Sequence, residues 1–332
     1  MPANVPCRPA LYDPEHLSRV KRCAFDRTLD DLVRVLDATH YVEAPLARHH
    51  VGKATVVGGV IFAGNRRILH STSVTAGFAD SLAASKLHED VALVSSMHGL
   101  HYFGHWLGDD TSAFEAHRDH PGLMSLPLPG WRDAVEYRRL FEQTWRQNTI
   151  IRSRSMTIIR DLGFSRAKAA RYRRLRERLR RNFGATGKGG QVVFLGRGPT
   201  GERREIVNAG ALYQRLSQAG IRVVTPEGDF NAFLGALLDA AVIITVEGSQ
   251  YRHAVYALRE GGAILTLVPP ERFYVAPHES ARCMDMHSGV VIGSVAEGGF
   301  FIDPDEVLAM VDRLLSRIEA ADATDRSARL AR

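Results

Sequence analysis

The chain has 332 residues, 45% apolar, 24% charged and 8% aromatic, enough for about two packed domains and incompatible with global disorder. No apolar run nears the ~18 residues of a membrane span, and residues 1–30 mix Pro, Cys, Arg and Asp without the apolar stretch of a secretory leader. Three widely spaced cysteines (Cys7, Cys23 and Cys283) exclude a disulfide framework and a four-cysteine zinc site, so a reducing cytoplasm is expected, and the net charge of +6 is unevenly distributed.

Up to about residue 73 the pattern is β-rich. Segments 40–46 and 54–62 carry β-branched residues in partial alternation, and Ala63-Gly64-Asn65 makes a turn before Arg67-Ile68-Leu69. VALVSS at 91–96 reads as a short buried strand. A helix is expected from Phe103 to His117 and a second from Trp131 to Asn148, where Val135, Leu140, Phe141 and Trp145 form an apolar stripe. RAKAARYRRLRERLRR at 166–181 is a basic helix: nine of its sixteen residues are Lys or Arg and only Glu177 is acidic. Its apolar edge of Ala170, Leu175 and Leu179 is thin. It therefore reads either as a solvated helix between domains or as a surface for an anionic substrate or an acidic membrane. A nucleic-acid partner is not expected, since no zinc finger, heptad zipper or aromatic ribonucleoprotein motif accompanies it. Gly184 to Gly190 is a flexible join.

Beyond Gly190 strands and helices alternate. VVFL at 192–195, IRVVT at 221–225, VIITV at 242–246 and AILTLV at 263–268 are near-continuous apolar strands. Helices are expected at 203–219, 230–240 and 251–260, and the pattern is that of a parallel sheet covered on both faces. Asp303 caps a last helix that runs to about Ile318, with Pro304 in its first turn. This half is Rossmann-like.

GRGPTG at 196–201 has the form G-x-G-x-x-G, after a strand and before a helix, with Glu227 at the end of the next strand, as in a dinucleotide site. Pro199 removes one backbone N–H from that turn, and Arg197, Arg203 and Arg204 crowd it. GATGKGG lacks the spacing and the Ser or Thr of a P-loop. Asp303-Pro304-Asp305 is explained by capping, and His98, His101, His105 and Asp109 match no metal-ligand signature, so no metal is expected.

Polar residues cluster instead where an α/β sheet binds ligands, at the carboxyl ends of its strands. Arg197, Arg203, Arg204 and Asn208 follow the first strand, Pro226 and Glu227 the second, and Glu247-Gly248-Ser249-Gln250-Tyr251-Arg252-His253 the third. Arg204 and Asn208 are expected on one helix face, and Gly248 and Ser249 open a helix whose free N–H groups suit a phosphate. Taken singly, each residue is turn chemistry or a surface charge; their convergence is what points to a ligand.

These residues resemble a family. RGPTGERREIVN, then Pro-Glu, then AAVIITVEGSQYRH are similar to the pattern of glycosyltransferase family 61, which includes capsular-polysaccharide-biosynthesis-like proteins. HYFGHWLGDD at 101–110 is similar to that family's Asn-Tyr-Gly-His-Trp-Leu-x-Glu. The chain departs from the family at Glu247 and His253, where His and Asn are frequent, at Ala209, at His101 and at the inserted Phe103.

The resemblance implies an α/β, GT-B-like fold of two Rossmann-like domains facing a cleft, the C-terminal one clearer. The domains would be an N-terminal acceptor-side domain at 1–160, the basic helix and join at 161–190, a nucleotide-sugar-binding domain at 191–320 and a frayed tail at 321–332. It implies an inverting transfer of a hexosyl or pentosyl group from a nucleotide sugar to a saccharide or glycoconjugate acceptor in polysaccharide biosynthesis. The nucleotide sugar is a substrate and no cofactor or metal is implied. Arg197, Arg204, Asn208, Glu227, Glu247, Gly248, Ser249 and His253 would hold the donor. His105 is the expected base, oriented by Asp109, because imidazole titrates near neutral pH. The expected location is cytoplasmic, with the basic helix allowing peripheral contact with an acidic membrane. Two alternatives stay open: an NAD(P)-dependent oxidoreductase, and an inactive binding protein that uses its basic helix.

Overall fold

VVFL, VIITV and AILTLV are apolar but for Thr245 and Thr266, as near-continuous apolar runs covered on both faces are. In the computed structural model, which describes residues 3–72, 74, 82, 85–184, 189–198 and 204–330, they form the middle of a parallel sheet. The strand order is Arg222–Val224, Val192–Leu195, Val242–Val246, Ala263–Val268 and His287–Ile292, all parallel. Numbered along the chain this is 2-1-3-4-5, a doubly wound arrangement whose order reverses between the first and third strands. Val193, Phe194, Val242, Ile244, Leu265 and Leu267 are essentially inaccessible to solvent, and Leu212, Leu216, Val307 and Leu314 pack onto them from helices. The fifth strand was not anticipated, because HSGVVI opens with His, Ser and Gly.

Contacts divide the chain into two units, Met1–Val42 with Gly184–Arg332, and Glu43–Phe183. The first 42 residues thus belong with the C-terminal sheet. Leu11 donates to the Ser288 carbonyl and accepts from Val290, which lays the N-terminal segment along the fifth strand. Leu32 and Leu36 of the helix Leu29–Asp37 pack with Val268, Phe273 and Ile292. That helix is capped by Thr28, whose hydroxyl accepts from the Asp31 N–H.

Three expectations for this unit are corrected. The helix expected from 203 is Ala209–Gln218. Ahead of it the backbone pairs with a hairpin strand, Val207 donating to Phe300 and Phe300 to Glu205, while Asn208 exchanges two hydrogen bonds with the Ile302 backbone. Arg204 and Asn208 therefore do not share a helix face. The last helix, capped by Asp303, continues through Leu330, well past Ile318. Pro199, Gly201 and Arg203, and residues 185–188 of the glycine-rich join, lie outside the described residues.

In Glu43–Phe183 the sheet is mixed. Its order is Arg66–Leu69, Val60–Ala63, Ala47–Val57, Ile150–Arg160, Leu87–Leu93 and Leu123–Met124. The pairs are antiparallel as far as Ile150–Arg160 and parallel beyond it. The doubly wound parallel order is thus seen in the other unit alone. Segment 54–62 is two strands rather than one: Gly58 takes a φ of 56°, and a Cβ on Gly59 would stand 1.8 Å from the Ser71 carbonyl oxygen. The helix expected over 131–148 shrinks to Ala134–Leu140, because Ser125 exchanges backbone bonds with Arg146 and Asn148. IIRSRSMTIIR forms a strand that its composition does not announce. Its arginines alternate with buried Ile151 and Ser153, so its period is clear but its composition is not that of a central strand.

Candidate functional site

The switch point of the parallel sheet lies between Val192–Leu195 and Val242–Val246, and ligands of such sheets bind beyond the strand ends there. Arg197 follows the first of these strands and Glu247-Gly248 the second. Arg197 reaches across and donates from Nη1 to the Glu247 carbonyl, 3.1 Å away. The buried Glu247 carboxylate sits 2.7 Å from Nε of Arg204 and 3.4 Å from Nε of Arg272. Three guanidinium groups thus stand about one carboxylate. Burial pushes the Glu247 carboxyl above the ordinary range, against the pull of Arg204, Arg272 and Arg197.

Gly248 is favoured here by its backbone, and its missing side chain leaves room for two arginines. Its φ is 143°, which side chains disfavour, and a Cβ would stand 2.5 Å from Nη1 of Arg197 and 2.9 Å from Nη1 of Arg204. The glycine lets both arginines close over the backbone. Cations fixed in this way by a carboxylate and a close backbone approach are preorganised for an anion.

The other expected donor residues are placed differently. Ser249 lies on the same turn, partly exposed. His253 is 3% exposed and packs edge-on to Phe233 with ring centroids 5.0 Å apart. Glu227 is exposed on the loop after Arg222–Val224. The Asn208 amide is engaged by Ile302.

In the other unit the motif HYFGHWLGDD winds as a short helix, Phe103–His105, that widens to a π-helical turn over Trp106–Asp110 and then continues as Thr111–Ala116. Single π turns inside helices are frequent at functional sites. Trp106 is fully buried and holds the turn against Trp131 and Trp145. His105 and Asp109 meet across it, Nδ1 to Oδ2 at 2.7 Å; the His105 side chain is 42% exposed and that of Asp109 2%. The other Asp109 oxygen accepts from Nζ of Lys168 at 2.6 Å, and Lys168, with no exposed side-chain surface, also donates to the Asp161 carbonyl. A carboxylate can only accept, so in the tautomer in which Nδ1 donates to Asp109 the lone pair is on Nε2 of His105. His98 lies tilted against the His105 ring, with centroids 5.1 Å apart, and burial foremost lowers its pKa.

Asp110, next in the turn, accepts from the Ser96 N–H with both oxygens, and burial raises its pKa far above the carboxylate range. A Cβ on Gly99 would collide with it, at 1.9 Å from Oδ2.

Lys168 belongs to the basic helix, Arg166–Phe183, which is a packed element rather than a solvated one. Ser165 caps it, accepting from the Lys168 N–H. Lys168, Tyr172, Leu175 and Leu179 form its buried stripe, with Arg171 and Arg176 also buried. Arg171 bonds Asp161 at 2.7 Å, and Arg178 and Arg174 converge on Glu115. Burial alone would raise Glu115, but Arg178 and Arg118 outweigh it and hold the carboxyl below its ordinary value. Arg166 pairs with Glu43 and Arg181 with Glu142. Much of the positive charge is spent on acids of the same unit.

Two residues escaped the sequence reading. Arg272 follows Ala263–Val268, so the strand-end rule that found Arg197 and Glu247 reaches it too. Lys168 stands in register with Tyr172, Leu175 and Leu179, and a lysine on a buried stripe is itself a signal.

A parallel sheet of this order, with polar groups gathered at its switch point, defines a ligand-binding α/β protein. The family model of Glycosyltransferase 61 matches residues 103–265, a stretch that contains the His105 turn, Arg197, Arg204 and Glu247 and ends before Arg272. Over those residues the chain is similar to glycosyltransferase family 61. No curated protein matches it.

Proposed function

We propose that the protein is an inverting glycosyltransferase that uses a nucleotide-sugar donor, with Arg197, Arg204 and Arg272 holding the diphosphate and His105 taking the proton of an acceptor hydroxyl. The observation that carries this reading is the arginine cluster about Glu247 and Gly248 at the switch point. In such a transfer the acceptor oxygen forms a bond to the anomeric carbon as the bond to the diphosphate oxygen breaks. Negative charge then develops on the diphosphate, and fixed guanidinium groups stabilise it without reorganising. Nε2 of His105 accepts the hydroxyl proton, and Asp109, backed by Lys168, stabilises the imidazolium that results.

The acceptor in this reading is a saccharide or glycoconjugate in polysaccharide assembly, and the reaction is cytoplasmic, in keeping with three free cysteines. No helix among the described residues is long and apolar enough to cross a membrane. Peripheral contact with an acidic membrane remains part of the proposal, carried by the exposed Arg173 and Arg174. The test is release of nucleoside diphosphate from a panel of nucleotide sugars, with and without saccharide acceptors, and the anomeric configuration of the product by NMR. Acceptor-dependent release with inverted configuration is expected. Retained configuration removes the single-displacement mechanism, and no release with any donor removes the reading.

A further inference from the structure

Phe25 is 65% exposed and takes a left-handed backbone, with φ of 57°, as does Asp26 after it at 53°. Two successive side-chain-bearing residues in that region store strain, and a bulky aromatic adopts it only where its surroundings hold it there. Those surroundings are the loop after the fourth parallel strand. Lys21 and Arg22 donate to the Pro270 carbonyl, Phe273 donates to Arg22, and Ala24 donates to Phe273. This short ladder fixes the ring of Phe25 edge-on to Tyr274, with centroids 5.0 Å apart, and puts the Arg272 guanidinium carbon 5.2 Å from the Phe25 centroid. The same Arg272 reaches Glu247 at the centre of the arginine cluster. An exposed, rigidly mounted aromatic ring therefore stands one side chain away from the diphosphate-binding cations.

We propose that Phe25 is the stacking platform for the nucleobase of the donor, so that the N-terminal segment supplies part of the nucleotide site. The proposal rests on the reading of the arginine cluster as a diphosphate site. A ring without hydrogen-bonding groups suits the flat face of a base, which any aromatic side chain can stack. Arg272 then serves two groups at once, its charge toward the diphosphate and its plane against the ring that carries the base.

Calorimetry with inorganic pyrophosphate and with the common nucleoside diphosphates tests it, on the wild-type chain and on Phe25→Leu, Phe25→Tyr and Arg204→Ala. The wild type is expected to bind at least one nucleoside diphosphate more tightly than pyrophosphate. Phe25→Leu should weaken that nucleoside diphosphate by roughly 5- to 150-fold, the range for losing one stacked base, and leave pyrophosphate unchanged. Phe25→Tyr, which keeps the ring, should bind as the wild type does. Equal nucleoside diphosphate affinity in the wild type and Phe25→Leu overturns the proposal while pyrophosphate binding, weakened in Arg204→Ala, upholds the cluster. A loss in Phe25→Leu confined to the intact nucleotide sugar overturns it too, since the ring would then face the sugar. Absence of binding by pyrophosphate and every nucleoside diphosphate overturns both readings.

Discussion

Lys168 and Asp109, 59 residues apart in sequence, meet at 2.6 Å with 0% and 2% of their side chains exposed. An ammonium and a carboxylate so fully removed from water depend on each other, because either alone is an uncompensated buried charge. Lys168→Met should cost about 3–5 kcal/mol in urea denaturation. Adding Asp109→Asn should recover part of that loss, because the orphaned charge is then gone. Strictly additive losses in the double-mutant cycle would show that the two groups are not coupled.

His105 carries the chemical end of the same chain. His105→Ala should lower turnover by ~10²–10⁴-fold, the scale of general acid–base catalysis. Pyrophosphate affinity should hardly change, since the arginine cluster is built from other residues. Full turnover in this variant assigns His105 to packing alone.

Arg204 is the most buried partner of Glu247, its side chain 9% exposed. Arg204→Ala should weaken nucleoside diphosphate binding by ~1.5–3 kcal/mol, as expected for hydrogen bonds to a charged group. It should also lower the melting temperature of the free protein, because Glu247 stays buried with one cation fewer. Unchanged binding by calorimetry takes Arg204 out of the site.

His278 is a pH sensor of stability rather than of catalysis. Burial, with Arg282 adding to it, lowers its pKa from the ordinary 6.5 to about 4, although the Val35 carbonyl opposes the shift. Its ring nitrogens contact the Ser288 hydroxyl at 2.6 Å and that carbonyl at 3.0 Å. The folded state therefore refuses a proton that the unfolded chain accepts, and stability is lost as pH falls from 6.5 toward 4. Between pH 7 and pH 5 this one group should account for about 2 kcal/mol. His278→Gln should flatten that part of the stability–pH curve. An unaltered slope in the variant assigns the pH dependence to other groups.

How much of this was legible in the chain alone follows from the range of each interaction. VVFL, VIITV and AILTLV declared themselves, because burial on both faces favours near-continuous apolar runs and four to six residues suffice to show one. Arg197, Arg204 and Glu247 were legible from the strand-end rule, and His105 with Asp109 from a spacing of one helical turn. Local patterns of this kind need no knowledge of the rest of the fold. What the sequence left undecided rests on pairing across long stretches. Ile150–Arg160 became the central strand of its sheet through register with Ala47–Val57 and Leu87–Leu93, a relation its arginines conceal. Only tertiary packing turned Lys168 from one of nine cations into the partner of Asp109, and only the backbone ladder between residues 21–24 and 270–273 brought Phe25 beside Arg272. A charge on a helix is neutral information until burial selects its partner, and burial is a property of the assembled chain.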